Sequence, residues 1–149
     1  MEDNYEAIRR LAEATNQMDG SYYLIARNLG INENTLAVLY ALDDGKTHTQ
    51  SQIAEDWLIP KTTVNTIVKE LVQINCVCYT AGNNAREKAI CLTEAGKKYA
   101  YECLKKVYNA EQTALSETLQ KYPVEFIEAF EYFSDRLRSA CKKEFQNTN

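Results

Sequence analysis

The sequence predicts a mainly α protein with a small β-wing, a winged helix-turn-helix set between long N- and C-terminal helices. Three observations carry that expectation. Within Ile59 to Asn75, the residues Val64, Ile67, Val68 and Leu71 fall at i, i+3, i+4 and i+7, which winds them into one narrow apolar stripe on a helix. Just upstream, Thr49, Gln50, Ser51 and Gln52 have the S/T-x-x-E/Q form of a capping box, so a short helix starts at Gln50 and is broken by Leu58 to Pro60. Just downstream, Val77 to Tyr79 and Lys88 to Leu92 read as strands around the turn Ala81 to Ala85.

The first long helical candidate covers residues 2–28. Tyr5, Ile8, Ala12, Thr15, Met18, Tyr22, Ile25 and Leu29 recur by threes and fours, Gly20 is a point where the helix bends or loosens, and Gly30 ends it. Asn32 is placed to cap a second helix, whose Leu36, Leu39 and Leu42 form a buried stripe ending at Asp43, Asp44 and Gly45. In the segment after Pro60, Thr62, Asn65, Thr66, Lys69 and Gln73 lie opposite the apolar stripe, a face with no acid and no large apolar group. Such a face suits a DNA groove. An ordinary amphipathic surface helix has the same pattern, and the segment by itself leaves both readings open. A lone two-stranded hairpin is marginally stable, so the wing needs support from elsewhere. Thr93 caps a long helix from Glu94 to Tyr122, with Tyr99, Cys103, Val107, Ala110 and Ala114 on one side. Pro123 breaks the chain, and a last helix from Val124 to about Phe145 carries Phe126, Ile127, Phe130, Phe133, Leu137 and Cys141 in a stripe. Two terminal amphipathic helices without a domain to cover them are most economically buried by a partner subunit.

Length and composition fit one ordinary domain of 149 residues. The acidic, charge-broken start is not a secretory signal, and no apolar run is long enough to span a membrane, so a cytoplasmic protein without membrane partners is expected. The net charge of −4 is segregated: Lys61, Lys69, Arg86, Lys88, Lys97 and Lys98 against Glu70, Glu87 and Glu94 give +3 between Pro60 and Lys98, leaving −7 elsewhere. Five cysteines, at 76, 78, 91, 103 and 141, are an odd number that argues against a disulfide framework. Cys76 and Cys78 share a strand face that Cys91 approaches if the register permits; a thiolate zinc site, redox sensing and plain packing are all compatible with that placement, and packing is the expectation. His48 is the only histidine, and no phosphate-binding glycine motif is present, so neither metal nor other cofactor nor catalysis is expected.

The run from Thr49 to Gly96, with TQSQIA, PKTTVNTIVKEL, the turn carrying Arg86, and LTEAG before a long helix, resembles the MarR family of bacterial transcriptional regulators. The resemblance implies a homodimer whose recognition helices enter major grooves and whose wing arginines reach minor grooves. Arg86 matches the arginine of the family's Asp-x-Arg wing motif, with Asn84 where the aspartate usually stands; Leu58 replaces a common glycine and Pro60 a capping serine. It further implies regions 1–31 and 121–149 as dimerisation helices, 32–98 as the DNA-binding winged helix-turn-helix, and 94–122 as a long connecting helix, in one compact subunit. Small, often aromatic, effectors are implied between the dimerisation helices and the reader domain, where Tyr22, Tyr23, Tyr40 and Trp57 are candidate lining residues that serve equally as core.

The expected function is a homodimeric, ligand-tunable DNA-binding transcriptional regulator on a pseudo-palindromic site, with repression the expected mode and activation left open. Thr62, Thr63, Asn65 and Thr66 are its candidate groove-facing residues, Lys61, Lys69 and Lys88 its phosphate contacts, and Arg86 its minor-groove probe. The alternative is a protein-interaction module that keeps the winged helix without DNA binding, motivated by the acidic total and by Asn84.

Overall fold

The computed structural model describes residues 4–84 and 87–146. Arg86, the expected minor-groove probe, lies outside the described residues. The chain divides into two compact units, 1–108 and 109–149.

The first unit begins with α1 (Tyr5–Leu29), which runs unbroken through Gly20 and ends at Gly30 in the left-handed region, φ 70°. Most of its predicted stripe is exposed; only Ala26 is buried, with Tyr22, Ile25 and Leu29 half-buried against the core. Helix α2 (Glu33–Leu42) starts where Asn32 accepts from the Asn34 N–H at 2.8 Å, and it buries Leu36, Val38, Leu39 and Leu42. Helix α3 (Gln50–Asp56) has the predicted capping box: Thr49 Oγ1 accepts from Gln52 N at 3.1 Å, while Thr49 N donates to Gln52 Oε1 at 2.9 Å. Helix α4 (Lys61–Gln73) starts after Pro60 and buries the whole expected stripe of Val64, Ile67, Val68 and Leu71.

The sheet differs from the sequence expectation in two ways. A third strand, β1 (His48–Thr49), pairs with β3 (Glu87–Leu92), so the order is β1-β3-β2 and the hairpin has the support it needs. Strand β2 (Val77–Asn84) also continues through residues read as the turn, because the ladder resumes at Asn84↔Glu87 after an irregularity beyond Thr80. Helix α5 (Glu94–Leu119) is capped by Thr93, whose Oγ1 accepts from Gly96 N at 2.9 Å and donates to the Asn75 carbonyl at 2.6 Å. It buries Gly96, Ala100, Cys103, Leu104 and Val107, whereas Ala110 and Ala114 of its predicted stripe are exposed. Tyr108 Oη donates to Asp43 Oδ2 at 2.6 Å, tying α5 to the end of α2.

The second unit holds the last turns of α5 and α6 (Phe126–Gln146). No residue of α6 is buried, and Phe126, Ile127, Phe130 and Leu137 stand exposed along it. Among the described residues no helix is long and apolar enough to cross a membrane.

Candidate nucleic-acid interface

The α3–α4 connection is set by hydrogen bonding at the end of α3. Ile59 N reaches back to the Ala54 carbonyl at 3.1 Å, which forces Leu58 into the left-handed region at φ 51°. Helix α4 ends in the same way: Cys76 N bonds the Leu71 carbonyl, Asn75 N bonds Val72, and Asn75 adopts φ 59°. Glycine is the usual occupant of such positions because it has no Cβ to clash with the preceding carbonyl. Leucine here keeps the conformation with its side chain 78% exposed, so the turn geometry survives the replacement.

With its stripe anchored, α4 leaves Lys61, Thr62, Thr66, Lys69 and Gln73 exposed, while Thr63 and Asn65 are half-buried at the edges of that face. Thr66 Oγ1 donates to the Thr62 carbonyl at 3.1 Å, which uses its proton and leaves the oxygen lone pairs to accept from outside. Lys61, Gln50, Tyr79, Glu87 and Lys88 line a groove of about 490 Å³ beside the start of α4. Lys88 Nζ sits 5.4 Å from the centroid of the Tyr79 ring, an arrangement that holds the ammonium on the outer surface of the wing. Lys61 and Lys88 are candidate phosphate contacts from the sequence; Gln50, Tyr79 and Glu87, which share the groove with them, are not among the sequence candidates. Glu87 Oε1 accepts from Ser51 N at 3.2 Å and lies 3.9 Å from Lys61 Nζ, so one carboxylate ties the wing to α3 and to the start of α4. The Ser51 hydrogen bond, aided by Lys61, outweighs desolvation and holds this carboxyl below the usual glutamate range. No signal in the sequence links positions 51 and 87, since the contact depends on the register of β3 with β1.

A cavity of about 340 Å³ opens in the first unit between α1, α2 and the α3–α4 turn, with Tyr22, Tyr40 and Trp57 in its wall together with Asp19, Glu33 and Asn34. Tyr40 packs against Trp57 and Tyr108 at ring centroid distances of 5.4 and 5.5 Å. Three of the four aromatic candidates thus meet in one wall; Tyr23 instead edges a separate cavity with Arg27 and Ile31.

The cysteines separate into distinct environments. Cys78 and Cys91 are directly opposite in the β2–β3 ladder, with sulfurs 3.5 Å apart. Cys76 stops short of β2 and is buried, its carbonyl accepting from Thr93 N at 3.0 Å. Burial raises the thiols of Cys76 and Cys103, and raises that of Cys91 together with its hydrogen bond to Cys78. His48 Nε2 pairs with Asp44 at 3.0 Å. Among the described residues no group of three or more His, Cys, Asp or Glu is placed to hold a metal ion.

Helices α3 and α4 with the strand-supported hairpin define a winged helix-turn-helix protein. The MarR family model matches residues 29–78, and the resemblance to the MarR family read from the sequence is shown by that match together with the fold. The chain is similar to a MarR family regulator from Neisseria meningitidis at 22% identity, TM-score 0.74, with 100% of each chain covered. A MarR family transcriptional regulator from Silicibacter pomeroyi DSS-3 is similar at 19% identity and TM-score 0.71, over 87% of this chain and 93% of that one. NadR in complex with 4-hydroxyphenylacetate is similar at 20% identity and TM-score 0.64, over 89% of both chains. No curated protein matches the sequence.

Proposed function

We propose that the protein is a cytoplasmic, homodimeric transcriptional regulator that represses by binding a pseudo-palindromic DNA site and is released by a small aromatic ligand. The observation that carries this reading is the outward face of α4: Thr62 and Thr66 are exposed on a helix whose opposite stripe is fully anchored in the core. Lys61, Lys69 and Lys88 neutralise phosphates, Thr62, Thr63, Asn65 and Thr66 meet base edges, and the resemblance gives Arg86 the minor groove. Regions 1–31 and 121–149 pair the subunits, 32–98 reads DNA, and 94–122 connects them. Two-fold symmetry spaces the half-sites about one helical turn apart.

Selection of bound duplexes from random DNA, followed by footprinting, tests the reading. A palindromic consensus is expected, and Asn65→Ala should cost about 1–3 kcal/mol and relax preference at one base position. Equal loss on every sequence would make Asn65 a backbone contact. Binding that fails even at low salt would favour a protein-interaction module, because a DNA reader with a segregated cationic face gains affinity as salt falls.

The cavity walled by Tyr22, Tyr40 and Trp57 is the proposed effector site. The structural neighbour NadR is seen with 4-hydroxyphenylacetate, an aromatic carboxylate. Here Asp19 and Glu33 edge the cavity, and among the described residues no lysine or arginine lines it. Neutral or cationic aromatic compounds should therefore release DNA at lower concentration than aromatic carboxylates of equal size. Fluorescence of Trp57, the only tryptophan, reads occupancy directly; tighter binding of the carboxylates would reverse the assignment.

A further inference from the structure

We propose that Cys78 and Cys91 form a reversible oxidation site at the base of the wing, a dithiol that closes to a cross-strand disulfide in exchange with small disulfides of the glutathione type. Three independent features converge on this pair. The ladder register sets the two residues directly opposite each other, so their Cα separation falls in the range of about 4.5–5.5 Å that antiparallel partners share with disulfide-bonded cysteines. Their sulfurs already touch at 3.5 Å. Cys91 also lines a cavity of about 300 Å³ with Asp43, Lys46, Lys97 and Tyr101, which gives a reagent a way in; Lys97 Nζ is paired with Glu94 at 2.7 Å, and the Lys46 ammonium suits a carboxylate of a glutathione-type disulfide. Cys76 and Cys103, by contrast, are buried.

The exchange proceeds in two steps. The Cys91 thiol loses its proton to water, and its sulfur attacks one sulfur of the small disulfide; a mixed disulfide forms and one small thiolate leaves. The deprotonated Cys78 sulfur then attacks the Cys91 sulfur, forming the Cys78–Cys91 bond and expelling the second small thiolate. Two protein thiols are oxidised, one small disulfide is reduced to two thiols, and the protons end on the leaving groups. Burial and the Cys78 contact raise the Cys91 thiol, so attack is slow at neutral pH and the equilibrium is the quantity to measure. Closing the sulfurs from 3.5 Å to the bond length of about 2.05 Å draws β2 and β3 together next to the irregular stretch beyond Thr80.

The test equilibrates the full-length protein in glutathione buffers of stepped ratio, quenches with acid, and maps disulfides by tryptic mass spectrometry. Cleavage after Arg86 and Lys88 leaves Cys78 and Cys91 on different peptides, so the link is visible. A linked peptide pair that appears with oxidised glutathione, disappears on reduction, persists in Cys76→Ser and is absent in Cys78→Ser is the expected result. In Cys78→Ser the mixed disulfide on Cys91 should accumulate about tenfold or more above wild type, because the preorganised second thiol no longer displaces it. A mixed disulfide that persists on Cys91 in wild type, or oxidation confined to Cys141 between chains, would overturn the proposal. The mapping involves no DNA, so its outcome and that of the DNA-binding reading are separate.

Discussion

Of the glycines at 20, 30, 45 and 96, Gly96 is the one with no room for a side chain. A Cβ built there would lie 1.8 Å from the Cys76 carbonyl oxygen, and both groups are backbone, so neither can swing aside. Gly96→Ala must push the first turn of α5 away from the end of α4, with an expected loss of roughly 2–4 kcal/mol in urea unfolding; a variant within 0.5 kcal/mol of wild type, to order of magnitude, would show that the turn yields easily. Leu58 points the other way. A leucine at φ 51° carries a left-handed cost of about 1–2 kcal/mol, and its exposed side chain contributes little packing. Glycine would remove that cost but adds unfolded-chain entropy of about 0.4–1 kcal/mol. Leu58→Gly is therefore expected to stabilise by about 0–1.6 kcal/mol, read as a rise in thermal midpoint, and a fall would mean that Leu58 packs usefully. Both residues were visible in the sequence, Gly96 within LTEAG and Leu58 at the turn. The glycine common at the place of Leu58 in the resembling family pointed to its backbone role; that of Gly96 was not legible, because a carbonyl 20 positions away leaves no mark on local composition.

The elements divide by the range of the signals that specify them. Helix α4 was legible because four apolar residues at helical spacing can be buried together in only one way, and all four are. The α3 cap was legible because its hydrogen bonds are local. Strand β1 was not, since two residues carry no periodicity, and β2 was cut short because AGNN has the composition of a turn. The same limit hid Glu87, whose partners Ser51 and Lys61 belong to other elements. Its carboxyl is held below the ordinary glutamate range by the Ser51 hydrogen bond first and by Lys61 as well. A depressed acid stabilises the fold above its unfolded titration range and loses that contribution as pH falls through the folded value. Glu87→Gln should therefore lower the thermal midpoint at pH 7, with the gap to wild type closing as the solution is acidified below the glutamate range. A gap constant with pH would trace the effect to lost packing. The wing should also loosen, seen as faster amide exchange at Ser51 and along β3.

At the scale of the molecule, the apolar surface left open decides the assembly. Tyr5, Ile8, Met18 and Leu24 are half or more exposed on α1, and on α6 Phe126, Ile127, Phe130 and Leu137 are exposed in a chain segment that buries nothing. Monomeric proteins rarely leave apolar patches of more than a few hundred Å² in water. Both stripes were legible in their periodicity, but periodicity cannot say whether a face meets its own chain or a second copy. Burial sharpens the choice: α2 and α4 satisfy their stripes within the first unit, whereas the stripes of α1 and α6 are left over. If a second copy covers them, a charge in either stripe must be buried at the interface or break it. Ile8→Asp and Phe130→Asp are each expected to weaken self-association by about tenfold to a hundredfold, since an unpaired carboxylate in an apolar contact costs roughly 2 kcal/mol or more. Sedimentation equilibrium measures this, and far-UV circular dichroism at the same concentrations verifies that the helices remain. Weaker pairing should lower affinity for a two-half-site duplex far more than for a single half-site, because only the former requires both reader helices on one scaffold. A wild-type chain that sediments as a monomer at micromolar concentration, or variants that pair as tightly as wild type, would remove the dimer from the proposed mechanism.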